Sequence, residues 1–164
     1  MVPMELVGVR IELPSNTPIV ILRVQGDDEA DPRMLPIFIG GPEATAIALA
    51  HEGVTPPRPM THDLFAETLD AMDVRIERVV ITELRDRTFY SELHMRSSTE
   101  ARVMSARPSD AIALAIRLGI PIFAEDELLD EAGYTDGPEP AEDDDEVVEE
   151  FKDFIDNVSP EDFA

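Results

Sequence analysis

Apolar and polar side chains alternate over residues 5–13. Val7, Val9, Ile11 and Leu13 fall on one side and Leu6, Gly8, Arg10 and Glu12 on the other, the period of a β-strand. Pro14, Ser15 and Asn16 supply a turn, and 18–24 (PIVILRV) is a nearly unbroken run rich in β-branched residues, suited to a central strand. A polar loop over 25–33 precedes a third strand at 34–39 (MLPIFI). The pattern then changes period. Gly40, Gly41, Pro42 and Glu43 open a helix, with proline fitted to the first turn, Glu43 facing the positive end of the dipole and Gly53 closing it.

Pro56, Pro57 and Pro59 stiffen the next connector, and Thr61 is the expected N-cap of a second helix running to about residue 72. Leu64, Phe65, Thr68, Leu69 and Met72 form its apolar face. Segments 74–84, 88–96 and 100–105 read as an antiparallel meander, turning at 85–87 and at 97–99. A third helix is predicted over 108–118, ended by Gly119. It is followed by a short edge strand at 120–124 and one or two helical turns at 126–132. The string Ala-Ile-Ala-Leu-Ala occurs at 46–50 and again at 111–115, and side chains so small let both helices lie flat against a sheet. These elements predict an α/β chain of the α+β roll type: a mixed, largely antiparallel sheet packed with two or three helices.

Charge divides the chain unevenly. The net charge is −23, from 36 acidic and 13 basic residues. Residues 137–164 contribute −11 of it, with eight acids among the twelve positions from 139 to 150. Like charges at that density repel and leave little apolar surface to offset chain entropy, so 137–146 is expected to be a linker between a domain at 1–136 and a tail at 147–164. In that tail Val147, Val148, Phe151, Phe154, Ile155 and Val158 recur at helical spacing, a stripe suited to its own domain, a second subunit or a protein partner. No cysteine is present, which removes disulfides and thiolate chemistry and fits a reducing compartment. Without a recognisable signal segment or an apolar run of membrane-spanning length, the expectation is a cytoplasmic protein. So acidic a chain repels polyanions at long range, so contact with nucleic acid requires a local cluster of arginines.

The familiar catalytic signatures are missing. His51-Glu52 is no zincin motif, since position 55 is Thr55, and there is no Walker loop, nucleophile elbow, dinucleotide fingerprint or EF-hand loop. Three helix entrances carry the remaining chemistry. Gly40 to Glu43 offers free N–H groups for an anion, or simply a capped turn. Arg58, Thr61, His62 and Asp63 bring a cation, a hydroxyl, an imidazole that titrates near neutrality and a carboxylate to one helix start, for proton transfer, for metal binding, or only for capping. Arg107, Ser109 and Asp110 form either a phosphate fork or an ion pair bracing the third helix. His51 fits a role at the C-terminal dipole of the first helix, and His94 lies within a strand; a site built from all three histidines has no spacing signature.

Four blocks in consistent order, LPIFIGGPEATAIALAHEG (35–53), RPMTHDLF (58–65), ITELRDRTFYSELHM (81–95) and SARPSDAIALAIRLGIPIF (105–123), resemble the bifunctional nuclease domain family over about residues 4–125. Members of that family act on DNA and RNA. The resemblance implies an α/β roll, self-association into a homo-oligomer, and nuclease activity. Its recurring polar positions fall on Glu43, Arg58, Thr61, His62, Asp63, Arg107, Ser109 and Asp110. Two positions depart from it: Arg87 stands where relatives often have a turn glycine, and Ser105 where an acidic residue is frequent. Arginine-rich usage with a single lysine fits a bacterial source.

Two functions follow. In the first, the chain hydrolyses phosphodiesters of single-stranded or flexible nucleic acid. His62, Asp63, Asp110 and Glu43 carry the catalysis, Arg58, Arg107, Ser109 and Thr61 bind substrate, and Mg²⁺ or Mn²⁺ is the expected cation on the oxygen ligands. In the second, it is a non-catalytic, self-associating module with a protein-docking acidic tail.

Overall fold

Strands whose alternate side chains are apolar can pair only if one face is covered, and the small-residue helices provide that cover. The computed structural model describes residues 1–27 and 31–135; the predicted linker 137–146 and tail 147–164 lie outside the described residues. The order is β1 (Val2–Glu12), β2 (Thr17–Val24), β3 (Arg33–Phe38), α1 (Gly41–His51), α2 (Thr61–Ala71), β4 (Arg75–Arg85), β5 (Thr88–Arg96), β6 (Ala101–Ala106), α3 (Pro108–Leu118), β7 (Ile122–Ala124), α4 (Asp126–Ala132) and β8 (Tyr134–Thr135). All eight strands form one sheet in the order β6-β5-β4-β7-β1-β2-β3-β8, antiparallel except where β7 runs parallel to β4. The chain is thus a mixed α+β fold, with four helices among the described residues where two or three were expected.

Two expectations are corrected here. The segment at 120–124 is no edge strand: β7 is only three residues long, yet it joins β4 to β1 at the centre of the sheet. Among the described residues the edges are β6 and β8, and β8 has no signal in the sequence. Nor is Thr61 an N-cap. Met60 holds that position with extended dihedrals, Thr61 is the first helical residue, and the Asp63 carboxylate accepts the Met60 N–H at 2.9 Å.

The core follows the alternation. Met4, Val20, Leu22, Leu35, Ile37, Val79, Ile81, Leu93 and Ile122 point to one side and meet Ile47 of α1, Ile112 and Leu114 of α3 and Leu128 of α4. Within α3, five consecutive residues from Ala111 to Ala115 are buried. The two Ala-Ile-Ala-Leu-Ala helices pack on each other, with α1 against β1 and β2 and α3 against β4 and β5, as their small side chains predict. Gly119 ends α3 in the left-handed conformation at φ 64°, where a side chain would be strained. β1 lies between β7 and β2, so the first dozen residues are integral to the sheet.

Candidate active site

Packing α1 and α2 against α3 brings their entrances together. Pro42, second in α1, and Pro108, first in α3, need no N–H partner, and Glu43 and Asp110 follow them in the first turns near the positive dipole ends. The extended backbone of Arg107, the N-cap of α3, lets its guanidinium fold over that turn. It donates from Nε to Asp110 Oδ2 at 2.7 Å and from Nη2 to Asp110 Oδ1 at 3.1 Å. The same Nη2 lies 2.8 Å from Glu43 Oε1. Asp110 Oδ1 also meets His62 Nε2 at 3.0 Å. Four residues from three helix starts therefore form one chain: Glu43, Arg107, Asp110, His62.

The electrostatics fix the hydrogen-bond direction. Burial pushes the Asp110 carboxyl up, but hydrogen bonds from Arg107 and His62 outweigh it, and the group is held below the usual aspartate range. A carboxylate only accepts, so His62 Nε2 is the donor in this contact. Hydrogen bonding to Asp110 in turn raises the Arg107 guanidinium above its ordinary value. His62 is largely enclosed, with 13% of its side chain exposed, whereas Arg107 is 67% exposed and free to follow a ligand.

The other predicted residues part company with this chain. Asp63 turns away to Arg117 in the last turn of α3, whose Nη1 also donates to the Ala46 carbonyl at 2.7 Å. That contact locks α1, α2 and α3 together, so Asp63 serves the fold through both the Arg117 pair and the cap of α2. Ser109 is buried at the start of α3. Thr61 and Arg58 are exposed and share no hydrogen bond or ion pair with the cluster. The Gly40–Glu43 turn does not present an open anion nest: the Glu43 carboxylate folds back so close that a Cβ on Gly40 would collide with it. His94 is bonded to Arg78 and Glu92, and His51 occupies the last turn of α1, as its dipole role predicts. Among the described residues no group of three or more His, Asp or Glu side chains is arranged to hold a metal ion. Glu43 and Asp110, both touching Arg107, are the only two predicted carboxylates that share a partner.

Beside the cluster runs a groove of about 310 Å³ whose lining includes Phe38, Gly40, Arg87, Phe89, Arg107 and Ser109. Residue-type reasoning passed over Arg117, Arg87 and Phe38. Arg117 did carry a signal, a lone charge at the end of the apolar run AIALAIRL. A larger hollow of about 460 Å³ lies elsewhere, between Asp70, Asp73, Arg75 and Arg96. Arg96 there is already paired with Glu77, and the carboxylates make it a poor seat for a polyanion.

Comparison with known proteins adds the family. The bifunctional nuclease domain profile matches residues 20–136, well over half of the chain. The chain belongs to the bifunctional nuclease domain family. An uncharacterized protein of Mycobacterium tuberculosis is 43% identical over 166 residues, covering 96% of this chain and 95% of that protein. Bifunctional nuclease 2 of Oryza sativa subsp. japonica is 28% identical over 123 residues, 73% of this chain but 36% of the plant protein. Bifunctional nuclease 1 of Oryza sativa subsp. indica is 28% identical over 92 residues, covering 54% of this chain and 28% of that protein. The matched region holds every member of the Glu43–Arg107–Asp110–His62 chain. Among the described residues no helix is long and apolar enough to cross a membrane.

Proposed function

We propose that this bifunctional nuclease family member hydrolyses phosphodiester bonds of single-stranded or flexible nucleic acid, with His62 moving the proton. The observation that carries this reading is the 3.0 Å contact of His62 with Asp110, braced by the Arg107 fork. Asp110 holds the imidazole by Nε2 and leaves Nδ1 to accept the proton of the attacking water. Arg107 is exposed and polydentate, so it exchanges a carboxylate oxygen for a phosphate oxygen as the substrate arrives. Ser109 lines the same groove and is assigned as a further donor, and the exposed Arg58 and Thr61 are assigned to more distant phosphates. Asp63 is assigned to positioning the start of α2 rather than to touching substrate.

Divalent-cation assistance is the second part of the proposal. Mg²⁺ is commonly held by one or two carboxylates together with water and substrate phosphate oxygens, and Glu43 and Asp110 are the pair that fits this pattern once Arg107 moves to the substrate. A cation there supplies charge neutralisation for an acidic protein meeting a polyanion. The direct test is incubation of the full chain with labelled RNA and single-stranded DNA in Mg²⁺, Mn²⁺ or chelator. Cleavage that persists undiminished in both His62→Ala and Asp110→Ala would remove this reading. The proposed setting is the bacterial cytoplasm, in keeping with the absence of cysteine.

One observation favours a second role beside it. No side chain of α2 is fully buried, and Leu64, Phe65 and Met72 are 56%, 40% and 66% exposed. An apolar face of this kind is suited to a second copy of the chain, giving a homo-oligomer, and the acidic tail is then left for a protein partner. Light scattering of Leu64→Glu against the unmodified chain checks it: an unchanged mass removes this face from any oligomer.

A further inference from the structure

We infer that the groove beside Arg107 is a nucleobase-stacking subsite, in which Phe38 receives a base and Arg87 the phosphate next to the one held by Arg107. This deepens the nuclease reading and rests on it for the identity of the ligand. Four observations point the same way. First, among the described residues the lining holds two arginines and no carboxylate, in a chain whose net charge is −23. Secondly, Arg87, like Arg10, Arg58, Arg75 and Arg78, has no ion-pair partner among the described residues, and it is the one of these five that lines the groove, where Arg107 is paired with Glu43 and Asp110.

Thirdly, Arg87 occupies backbone that disfavours it. Arg85 pairs with Thr88, so Asp86 and Arg87 alone make the β4–β5 turn, at φ 49° and 59°. Such a two-residue turn favours glycine at its second position, and a long β-substituted side chain there is strained. Strain of this kind is held where the side chain has a use, and here the strained residue lines the groove. Fourthly, Phe38, the last residue of β3, is 56% exposed and lines this groove, as does Phe89. An aromatic face next to two cations is the arrangement that binds a single strand: each base stacks, and the backbone follows the positive charge. Arg107 belongs both to this groove and to the His62–Asp110 chain, so a strand seated here delivers its next phosphate to the reacting centre.

The test is equilibrium binding of the full chain to a short fluorescent single-stranded RNA in chelator, where cleavage does not interfere. Phe38→Ala should weaken binding about tenfold, on the scale of one base–aromatic stack, and Phe38→Trp should restore it. With an abasic strand, Phe38→Ala and the unmodified chain should bind alike. Arg87→Gly, which suits the turn and so preserves the fold, should weaken both strands and flatten the salt dependence by about one phosphate contact. Unchanged binding in Phe38→Ala and Arg87→Gly overturns the subsite, as does equal displacement of the RNA by polyglutamate, which would mark the groove as a seat for acidic peptide. His62→Ala separates the two readings. Loss of cleavage with binding kept supports both. Cleavage kept while Phe38 and Arg87 still govern binding removes the assignment of His62 and leaves the subsite standing.

Discussion

His62 Nε2 and Asp110 Oδ1 lie 3.0 Å apart across 48 residues of sequence, the first at the start of α2 and the second in the first turn of α3. Neither residue could reach the other unless both helices entered the same corner of the sheet. Asp110 accepts from His62 and from Arg107 at once, so one carboxylate orders both the imidazole and the guanidinium.

His62→Ala should therefore lower the cleavage rate by about 10²–10⁴-fold, the span of a positioned acid–base group. Asp110→Asn keeps the shape but removes the charge that orients the imidazole, and should cost nearly as much in kcat with little change in KM. Rates measured under single-turnover conditions for both variants check this; a loss confined to KM would assign the pair to binding instead.

Asp63 and Arg117 are predicted to matter to stability. Arg117 has only 8% of its side chain exposed, so removing its carboxylate partner leaves a nearly enclosed charge with one carbonyl acceptor. Asp63→Ala should cost about 3 kcal/mol in urea unfolding, the usual scale for breaking such a pair from one side. The pH dependence has a definite sign. The Arg117 hydrogen bond, aided by the Met60 N–H and opposed by burial, holds the Asp63 carboxyl below its ordinary value. Its contribution is complete above the unfolded pKa of about 3.9 and is lost as pH falls through the lower folded value. The stability difference between the unmodified chain and Asp63→Asn should thus be flat above about pH 5 and shrink in acid; a difference that grew on acidification would contradict the assignment.

Gly40 offers a gentler probe of the cluster. A Cβ at this position would collide with the Glu43 carboxylate, whose side chain is flexible and can move aside. Gly40→Ala should leave the fold intact while shifting Glu43 from Arg107. If Glu43 and Asp110 share a cation, the Mg²⁺ concentration needed for half-maximal cleavage should rise severalfold with the metal-saturated rate kept. A metal titration of this variant reads both quantities.

Local signals were legible and non-local ones were not. α3 was predicted at its observed bounds because Pro108 and Gly119 punctuate it chemically. The meander over β4, β5 and β6 was legible because antiparallel neighbours share short turns. β7 was misplaced at an edge because three residues carry no record of parallel pairing with a strand some forty residues earlier. Thr61 was misread because Asp63, two residues on, takes the capping role from inside the helix. Of the eight polar residues grouped by their helix starts, Glu43, His62, Arg107 and Asp110 meet in one hydrogen-bonded chain. Asp63 does not join them because it pairs with Arg117, which lies seven residues beyond Asp110 at the far end of α3.

Arg87→Gly should trade binding for stability. The left-handed conformation costs a residue with a Cβ about 1–2 kcal/mol, partly offset by the extra freedom glycine brings to the unfolded chain. A net gain of about 0.5–1 kcal/mol should raise Tm by roughly 2 °C while single-strand affinity falls. Calorimetry showing a lower Tm would mean that Arg87 is there for the fold.

Long-range and short-range electrostatics should oppose each other when nucleic acid approaches. A polyanion first meets the field of a chain carrying −23, nearly half of it from residues 137–164, and only within about 8–10 Å does the arginine-lined groove dominate. Salt screens the distant repulsion before it weakens the close contacts. Raising ionic strength from roughly 10 to 150 mM should therefore increase the association rate for single-stranded RNA, the reverse of the usual trend for nucleic-acid-binding proteins. The dissociation rate should rise as well, because each phosphate held by Arg87 or Arg107 is weakened. Removing residues 137–164 should raise the low-salt association rate and reduce its salt dependence. The core, assembled from residues between Met4 and Leu129, should keep its cooperative unfolding transition. Stopped-flow binding across a salt series decides the matter: an association rate that falls steadily with salt would mean that the approaching strand never senses the acidic body of the protein.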